Sequence, residues 1–217
     1  EQKNPSSLPP NLMKTALELT KTTPAHLGSI LFVLLPPDVR SGLHEYPSCA
    51  PYENTENPTP TILTATQTDR FISYRSHIRQ SFAHRGSVLF VVPTSAAVHT
   101  IKEILQHGIE KRIVTFSSAH TKKQIEKSYG AFSDLSSAKL IITTPNFALL
   151  DRHDITTIIV EDCGSSHYKA RTRPYLDARE VLKVYAKATK RTILLGDILP
   201  RTEEEALRRE DLYETFD

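Results

Sequence analysis

Glycine is scarce in this chain of 217 residues, and its glycines are never close together. The seven stand at positions 28, 42, 86, 108, 130, 164 and 196, at intervals of 14 residues or more. A loop that wraps around a phosphate needs several neighbouring glycines, because only then can backbone N–H groups approach the anion closely. The sequence therefore contains no glycine-rich phosphate loop.

Cysteine is also scarce, and clustered histidines and long apolar runs are missing. The two cysteines exclude a disulfide-stapled secreted fold and a cysteine-built zinc site within this chain. The nine histidines show no ligand spacing, so we expect no metal site. The longest apolar run, Ser29–Leu35, predicts a strand or a short buried segment and is far shorter than the roughly 20 residues of a membrane span. No signal peptide opens the chain, which favours a cytoplasmic setting without a membrane partner.

Neither sign of charge dominates the composition. There are 27 Lys and Arg residues against 25 Asp and Glu, which leaves a net charge of +2. The charged share of 24% and the apolar share of 39% are ordinary for a globular protein that can bury one large core or two small ones. Because the first residue is Glu1 and not Met, we expect the chain to be part of a longer protein.

The first 60 residues differ in composition and hydrophobic pattern from the rest. They hold 10 of the 14 prolines, together with one segment of helical spacing at Asn11–Lys21. Residues 44–60 are rich in Pro, Asn, Thr and Glu and predict a linker. The sequence thus divides into an N-terminal appendage over residues 1–43, a linker over residues 44–60 and a main unit over residues 61–217, whose tail, Arg201–Asp217, predicts a solvated helix.

From residue 61 onward, short β-branched runs alternate with helical patterns. Such alternation predicts an α/β fold with a mostly parallel sheet and helices on both faces. Sites in these folds lie at the carboxyl ends of the strands. The predicted strands are Thr61–Thr64, Val88–Val92, Arg112–Phe116, Lys139–Thr143, Thr157–Val160 and Thr192–Leu195.

Several of these segments, taken in order, carry a family resemblance. Ile158–Lys169 is similar to the pattern IIVDEEHDSSYK, Pro174–Glu180 to PRYHARD, and Thr192–Pro200 to VVLGSATP. Residues 87–204 therefore resemble the first helicase lobe of the primosomal protein N′ (PriA) family, whose members restart abandoned replication forks. Residues 18–43 resemble the stretch that closes the 3′-end DNA-binding domain of that family. The resemblance implies a RecA-like lobe preceded by a remnant of that domain.

The departures from the family fall on its catalytic residues. Where the family has GVTGSGKTEVY, this chain has no glycine, Arg70 stands at the lysine position and Phe71 at the Mg²⁺-binding hydroxyl position. The acids Glu161 and Asp162 stand in inverted order at the end of a strand, where a Walker-B pair would hold Mg²⁺ and polarise water. The resemblance alone implies ATP with Mg²⁺, and zinc in a second lobe that is not in this chain. The degenerate loop itself is Thr66, Gln67, Thr68, Asp69, Arg70 and Phe71.

Because every group that positions a phosphate is changed, we expect no intact catalytic residue and no cofactor in this chain. Two basic segments remain as candidates for contact with DNA, one on the helix after the degenerate loop and one in the region that the family uses to touch single-stranded DNA. Basic side chains bind phosphates and aromatic rings stack on bases. The alternative is an ordinary solvated basic surface. The predicted DNA-binding residues are Arg75, Arg79, Tyr168, Lys169, Arg171, Arg173, Tyr175 and Arg179.

Three functions remain open at this point. The favoured one is a replication-restart protein that binds forked or single-stranded DNA and other primosome proteins, with helicase activity lost. The second is an active ATP-dependent 3′–5′ DNA helicase with a divergent nucleotide site. The third is a scaffold lobe that does not bind DNA.

Overall fold

A computed structural model describes residues 8–47 and 58–216. Most of the predicted linker, residues 48–57, lies outside the described residues, as do residues 1–7 of the predicted appendage and residue 217. In the described part of the chain, no helix is both long and apolar enough to cross a membrane.

The core of the molecule is a parallel sheet of seven strands in the order β3-β4-β2-β5-β6-β1-β7. The RecA-like α/β architecture predicted from the sequence is confirmed, and the six predicted strands end within two residues of the observed ones. The two-residue strand β7 at one edge was not predicted, because it is too short and too exposed to leave a pattern. The strands are β1 (Thr61–Thr64), β2 (Ser87–Val91), β3 (Ile113–Phe116), β4 (Leu140–Thr143), β5 (Ile155–Glu161), β6 (Thr192–Asp197) and β7 (Glu214–Thr215).

Helices cover both faces of the sheet, as parallel strands require when they are buried throughout. Helices α4 and α5 share one hydrophobic cluster with the sheet, whereas α1, α2, α6 and α7 share the cluster on the opposite face. The helices are α1 (Pro10–Leu19), α2 (Leu27–Leu34), α3 (Pro37–Arg40), α4 (Gln67–Ala83), α5 (Ser95–Leu105), α6 (Lys122–Ser133), α7 (Ala178–Thr189) and α8 (Thr202–Arg209).

The segment Ser29–Leu35, predicted as a strand or a short buried segment, is mostly the helix α2 and is only half buried. Ile30 and Leu34, four residues apart, face the core, while Phe32 between them is 61% exposed. An uninterrupted apolar run has neither helical nor strand period, so the sequence alone cannot distinguish the two.

The N-terminal helices belong to the same core as the sheet. Leu12, Ala16 and Leu19 of α1 lie in one hydrophobic cluster with strand residues, and α1 packs along α7. The described part of the predicted appendage therefore has no core of its own. The C-terminal tail also departs from a simple solvated helix, because Glu204 of α8 is fully buried and forms ion pairs with Lys183 and Arg201.

Candidate nucleotide site and nucleic-acid interface

The connection between β1 and α4 is the place where a phosphate loop would lie. Only Ala65 and Thr66 separate the strand from the helix. The Thr66 side chain caps the helix by accepting from the backbone N–H of Asp69 at 3.4 Å, and its hydroxyl donates to the Asp69 carboxylate at 2.7 Å. A carboxylate over a helix N-terminus is stabilised there, and it repels an incoming phosphate. The N-terminus of α4 is thus capped from within the chain.

Arg70, at the lysine position of the family, is turned into the interior. Its guanidinium donates to the two carboxylate oxygens of Glu161 at 2.6 and 3.2 Å and to the carbonyl oxygen of Ala65 at 2.8 Å. Both side chains of the ion pair are more than nine-tenths buried. Although burial opposes its charge, the hydrogen bonds and the charge of Glu161 raise the pKa of Arg70. The two residues that the sequence resemblance aligns with nucleotide-binding positions thus neutralise each other.

Tyr74 completes this buried cluster. Its hydroxyl donates to Glu161 at 2.7 Å, and burial together with the neighbouring carboxylate raises its pKa well above the usual value. Gly196 on β6 leaves the space for the ring, because a Cβ there would overlap the Tyr74 hydroxyl oxygen. Neither residue was predicted as part of the site. The register of Tyr74 with the family tyrosine was visible in the sequence, but its partner was not.

Of the two remaining acids at this edge of the sheet, Asp197 is engaged and Asp162 is not. Asp197 accepts hydrogen bonds from the backbone N–H groups of Gly164 and Ile198, both at 2.6 Å. Asp162 is exposed and lies near Asp197, and partial burial with that second negative charge raises its pKa. No group of three or more metal-ligating side chains occurs within residues 8–47 and 58–216.

These residues do not fit Mg-ATP. Asp69 occupies the helix N-terminus, Phe71 at the hydroxyl position is 3% exposed and packs in the core, and Glu161 is held by Arg70. A nucleotide would need a free cation and an anion-accepting loop at this point. The arrangement can stabilise the fold, and it offers no group to position a phosphate.

The second candidate surface is the loop between β5 and α7. Lys169 and Asp177 form an isolated antiparallel bridge at its base, and the Ala170 N–H donates to the Leu176 carbonyl oxygen at 2.9 Å. These bonds project the intervening residues into solvent. The exposed side chains of the loop include Lys169, Arg171, Arg173 and Tyr175, of which the tyrosine is 63% exposed.

Two of the predicted DNA-binding residues lie in the interior, which corrects the sequence interpretation. Tyr168 is 1% exposed, and its hydroxyl donates to the carbonyl oxygens of Glu161 and Val91 at 2.7 and 3.1 Å. Arg179 is 1% exposed and forms an ion pair with Asp177. A ring and a guanidinium in these positions anchor the loop to the sheet and are not available to a base or a phosphate.

Arg75 and Arg79 are not close to the loop. They lie on α4, which covers the opposite face of the sheet from α7, and they line a shallow depression with Ile72 and Ser76. What lies beside the loop is the turn between α1 and α2. Pro24–Ser29 and Arg173–Tyr175 face each other across a groove of about 560 Å³, a neighbour that the sequence did not predict.

No family model matches the chain, and no curated protein matches it in sequence. Solved structures do match in fold. The C-terminal domain of the Saccharomyces cerevisiae protein Dbp5 aligns with a TM-score of 0.52 and 9% identity, over 73% of this chain and 89% of that one. The chain has the fold of a RecA-like helicase domain.

Two longer helicase-type structures align over the same share of this chain. The helicase domain of Pyrococcus furiosus Hef gives a TM-score of 0.51 at 15% identity, and a DEAD-box protein of Methanococcus jannaschii gives 0.50 at 13%. Each alignment covers 73% of this chain, but only 35% of the Hef chain and 45% of the M. jannaschii chain. The chain thus spans about half or less of these proteins.

Proposed function

We propose that this chain is the helicase-like lobe of a cytoplasmic replication-restart protein of the PriA type. In this proposal it binds single-stranded or forked DNA and does not hydrolyse ATP. Its role is to hold DNA for other primosome proteins. The RecA-like fold supports a nucleic-acid-related function, and the segment resemblance supports the particular family.

The observation that carries DNA binding is the exposed loop over residues 169–177. Three cationic side chains, Lys169, Arg171 and Arg173, share this short loop with the exposed ring of Tyr175. Single-stranded nucleic acid is bound by this combination, because cations attract successive phosphates while an aromatic face stacks on a base of any type. The buried bonds of Tyr168 hold the loop in place for that role.

The groove beside the loop supports the same assignment. Its second wall is the turn that carries His26, within the segment that resembles the 3′-end DNA-binding domain. The proposed DNA surface therefore combines a part of the lobe with a part of the remnant. The absence of hydrolysis is supported by the Arg70–Glu161 ion pair, which uses two of the groups that phosphoryl transfer would require.

Salt-dependent DNA binding tests the proposal. Fluorescence anisotropy with a labelled single strand and a labelled fork would compare the wild type with the triple variant Lys169→Ala, Arg171→Ala, Arg173→Ala. We expect the triple variant to bind more weakly and to lower the salt slope by up to about 2, since each lost phosphate contact on a single strand removes about 0.7. Tyr175→Ala should weaken binding by about 1–3 kcal/mol without changing the salt slope.

The matched control removes three exposed lysines from α6, Lys122, Lys123 and Lys127, for the same loss of charge. Equal effects of both triple variants would mean that only net charge matters. Unchanged binding in the loop variant would favour the scaffold function. ATP hydrolysis stimulated by DNA and abolished by Arg70→Ala would favour the active helicase.

A further inference from the structure

A different surface of the molecule, the edge of the sheet formed by β3, carries an inference beyond DNA binding. β3 pairs with β4 on one side, and no described strand pairs with its other side. The Phe116 carbonyl oxygen accepts from the Thr144 N–H, and because alternate residues of a parallel ladder bond to the same side, the peptide groups of Thr115 face outward. The Ile113 N–H already bonds to the Glu110 carbonyl oxygen.

This free edge lies at the bottom of an open groove between α5 and α6. The groove has a volume of about 780 Å³. Val98 and Val114 contribute its apolar floor, while small residues such as Ser95, Ala119 and Ser128 keep the helices from covering the strand. An added strand would lie about 4.8 Å from β3 and would reach the backbone of Thr115. The opposite edge of the sheet, the two-residue β7, offers no comparable length.

The groove is positively charged. Lys102, Lys111 and Lys127 line it, against one acid, Glu110, whose carboxylate already accepts the N–H of Gly108 at 3.0 Å. Charges of one sign on both sides of an exposed edge disfavour pairing with a second copy of this chain, which would bring the same lysines together. They favour an occupant of opposite charge.

His120 adds an unsatisfied polar atom to the groove. Its Nδ1 is buried and has no hydrogen-bond partner within the described structure. The apolar floor, the lysines and this orphaned nitrogen therefore occur together beside one free strand edge.

We propose that an acidic segment of a partner protein binds here in extended conformation and adds an eighth strand to the sheet. Main-chain hydrogen bonds to Thr115 give affinity in this mode of recognition, and alternate side chains give specificity. Acidic side chains on the helix-facing sides of the segment pair with Lys102 and Lys127. A peptide fits better than a nucleic acid, because a phosphodiester backbone has acceptors only and cannot donate to the outward Thr115 carbonyl oxygen.

Selection from a displayed library of random heptapeptides, with the complete chain as target, tests the proposal. We expect enrichment of segments that alternate Asp or Glu with β-branched or aromatic residues. In an extended peptide, alternate amide groups face β3 and the others face away. N-methylation of the amides that face β3 should abolish binding, whereas N-methylation of the other amides should be tolerated. Amide exchange at Thr115 should slow by at least about tenfold in the complex, since this amide acquires a hydrogen bond.

Charge reversal within the groove gives the matched comparison. Lys102→Glu with Lys127→Glu should weaken the selected peptide by about tenfold or more, because two favourable pairs become repulsive. Lys122→Glu with Lys123→Glu changes the net charge equally outside the groove and should leave affinity unchanged. No enrichment, enrichment without acids, or equal effects of the two alternate methylations would overturn the proposal. Displacement of the peptide by single-stranded DNA, sensitive to the same groove lysines, would assign the groove to nucleic acid instead.

Discussion

Two arginines, Arg70 and Arg173, show how differently this molecule uses the same side chain at two candidate sites. Arg70 is 5% exposed and its charge is neutralised by Glu161 inside the sheet. Arg173 is exposed on a loop tip beside an open groove. The first arginine holds strands and a helix together, whereas the second is available to an external anion.

The difference shows that a cation at a position aligned with a catalytic lysine can have a structural role instead. At the end of β1, Thr66, Asp69 and Arg70 each find a partner within the chain, so the groups that could meet a phosphate are already engaged. The loop over residues 169–177 is anchored at its base by Tyr168 and Arg179, while the side chains of Lys169, Arg171 and Arg173 stay exposed. The proposed function follows from these exposed cations.

The largest effect should come from breaking the closed site. Arg70→Met or Glu161→Gln alone should each lower the free energy of unfolding by about 3–5 kcal/mol, because each leaves the other charge buried without its partner. The double variant should cost less than the sum of the two. Urea denaturation measures these values. Glu18→Gln, in an exposed pair with Lys21, is the control and should cost less than about 1 kcal/mol.

Equal small effects for Arg70→Met and Glu18→Gln would contradict the comparison, because they would place Arg70 in a solvated environment. Additive single effects in the double variant would show that Arg70 and Glu161 do not depend on each other.

A glycine tests how tightly the same site is filled. Gly196→Ala should destabilise the fold by about 1–3 kcal/mol, because the new methyl group overlaps Tyr74. Tyr74→Phe in the same chain should relieve part of that cost by removing the overlapping hydroxyl. Gly130→Ala, in open space within α6, should instead stabilise the protein by about 0.5–1 kcal/mol. Thermal unfolding of the wild type and these three variants measures the effects. Equal shifts in melting temperature for Gly196→Ala and Gly130→Ala would contradict the prediction.

The base of the open loop should respond to pH. Burial opposes ionisation of Asp177, but the hydrogen bonds and charge of Arg179 lower its pKa below the ordinary value. A carboxyl group with a lowered native pKa stabilises the fold above its unfolded pKa, and that stability is lost as the pH falls through the native pKa. Asp177→Asn should therefore cost about 1–2 kcal/mol at neutral pH. Melting temperatures of variant and wild type should converge only in acid, once the pH has fallen through the lowered native pKa of Asp177. A gap that persists there would mean that the carboxylate charge is not the cause.

The smallest expected effect is that of adding nucleotide on the stability of the protein. A ligand at one hundred times its Kd would stabilise the native state by about 2.7 kcal/mol, whereas we expect no shift in melting temperature with millimolar Mg-ATP. The closed site predicts this result because the cation that would meet the phosphates is occupied. Stabilisation by Mg-ATP that disappears in Arg70→Ala would contradict this prediction, because it would show that nucleotide binds at this site through Arg70.

Much of the fold could be predicted because buried parallel strands leave a strong signal. Runs such as Val88–Val92 are apolar at consecutive positions, and few other structures place such a run between helical patterns. Helix α6 was missed, although Thr121 and Gln124 form a capping box at its start, because its apolar residues are few. Strand β7 has only two residues and carries no period at all.

The sites were harder to predict because exposure is a tertiary property. Tyr168 and Tyr175 stand in the same basic segment, yet one is buried beneath the loop and the other is exposed at its tip. The mismatch of Arg70 with the family lysine was visible, but its pairing with Glu161 joins residues 91 positions apart in sequence. Local composition does not distinguish a cation that binds a ligand from one that satisfies a buried acid.

The Arg70–Glu161–Tyr74 cluster also has an evolutionary consequence. Nucleotide binding at this site would require a lysine at position 70, new glycines before it and space now filled by the Tyr74 ring. Replacing Arg70 or Tyr74 breaks a buried interaction, and glycine in the first turn of α4 weakens the helix, so each step lowers stability before any activity is gained. Selection for folding alone is then enough to keep this site closed.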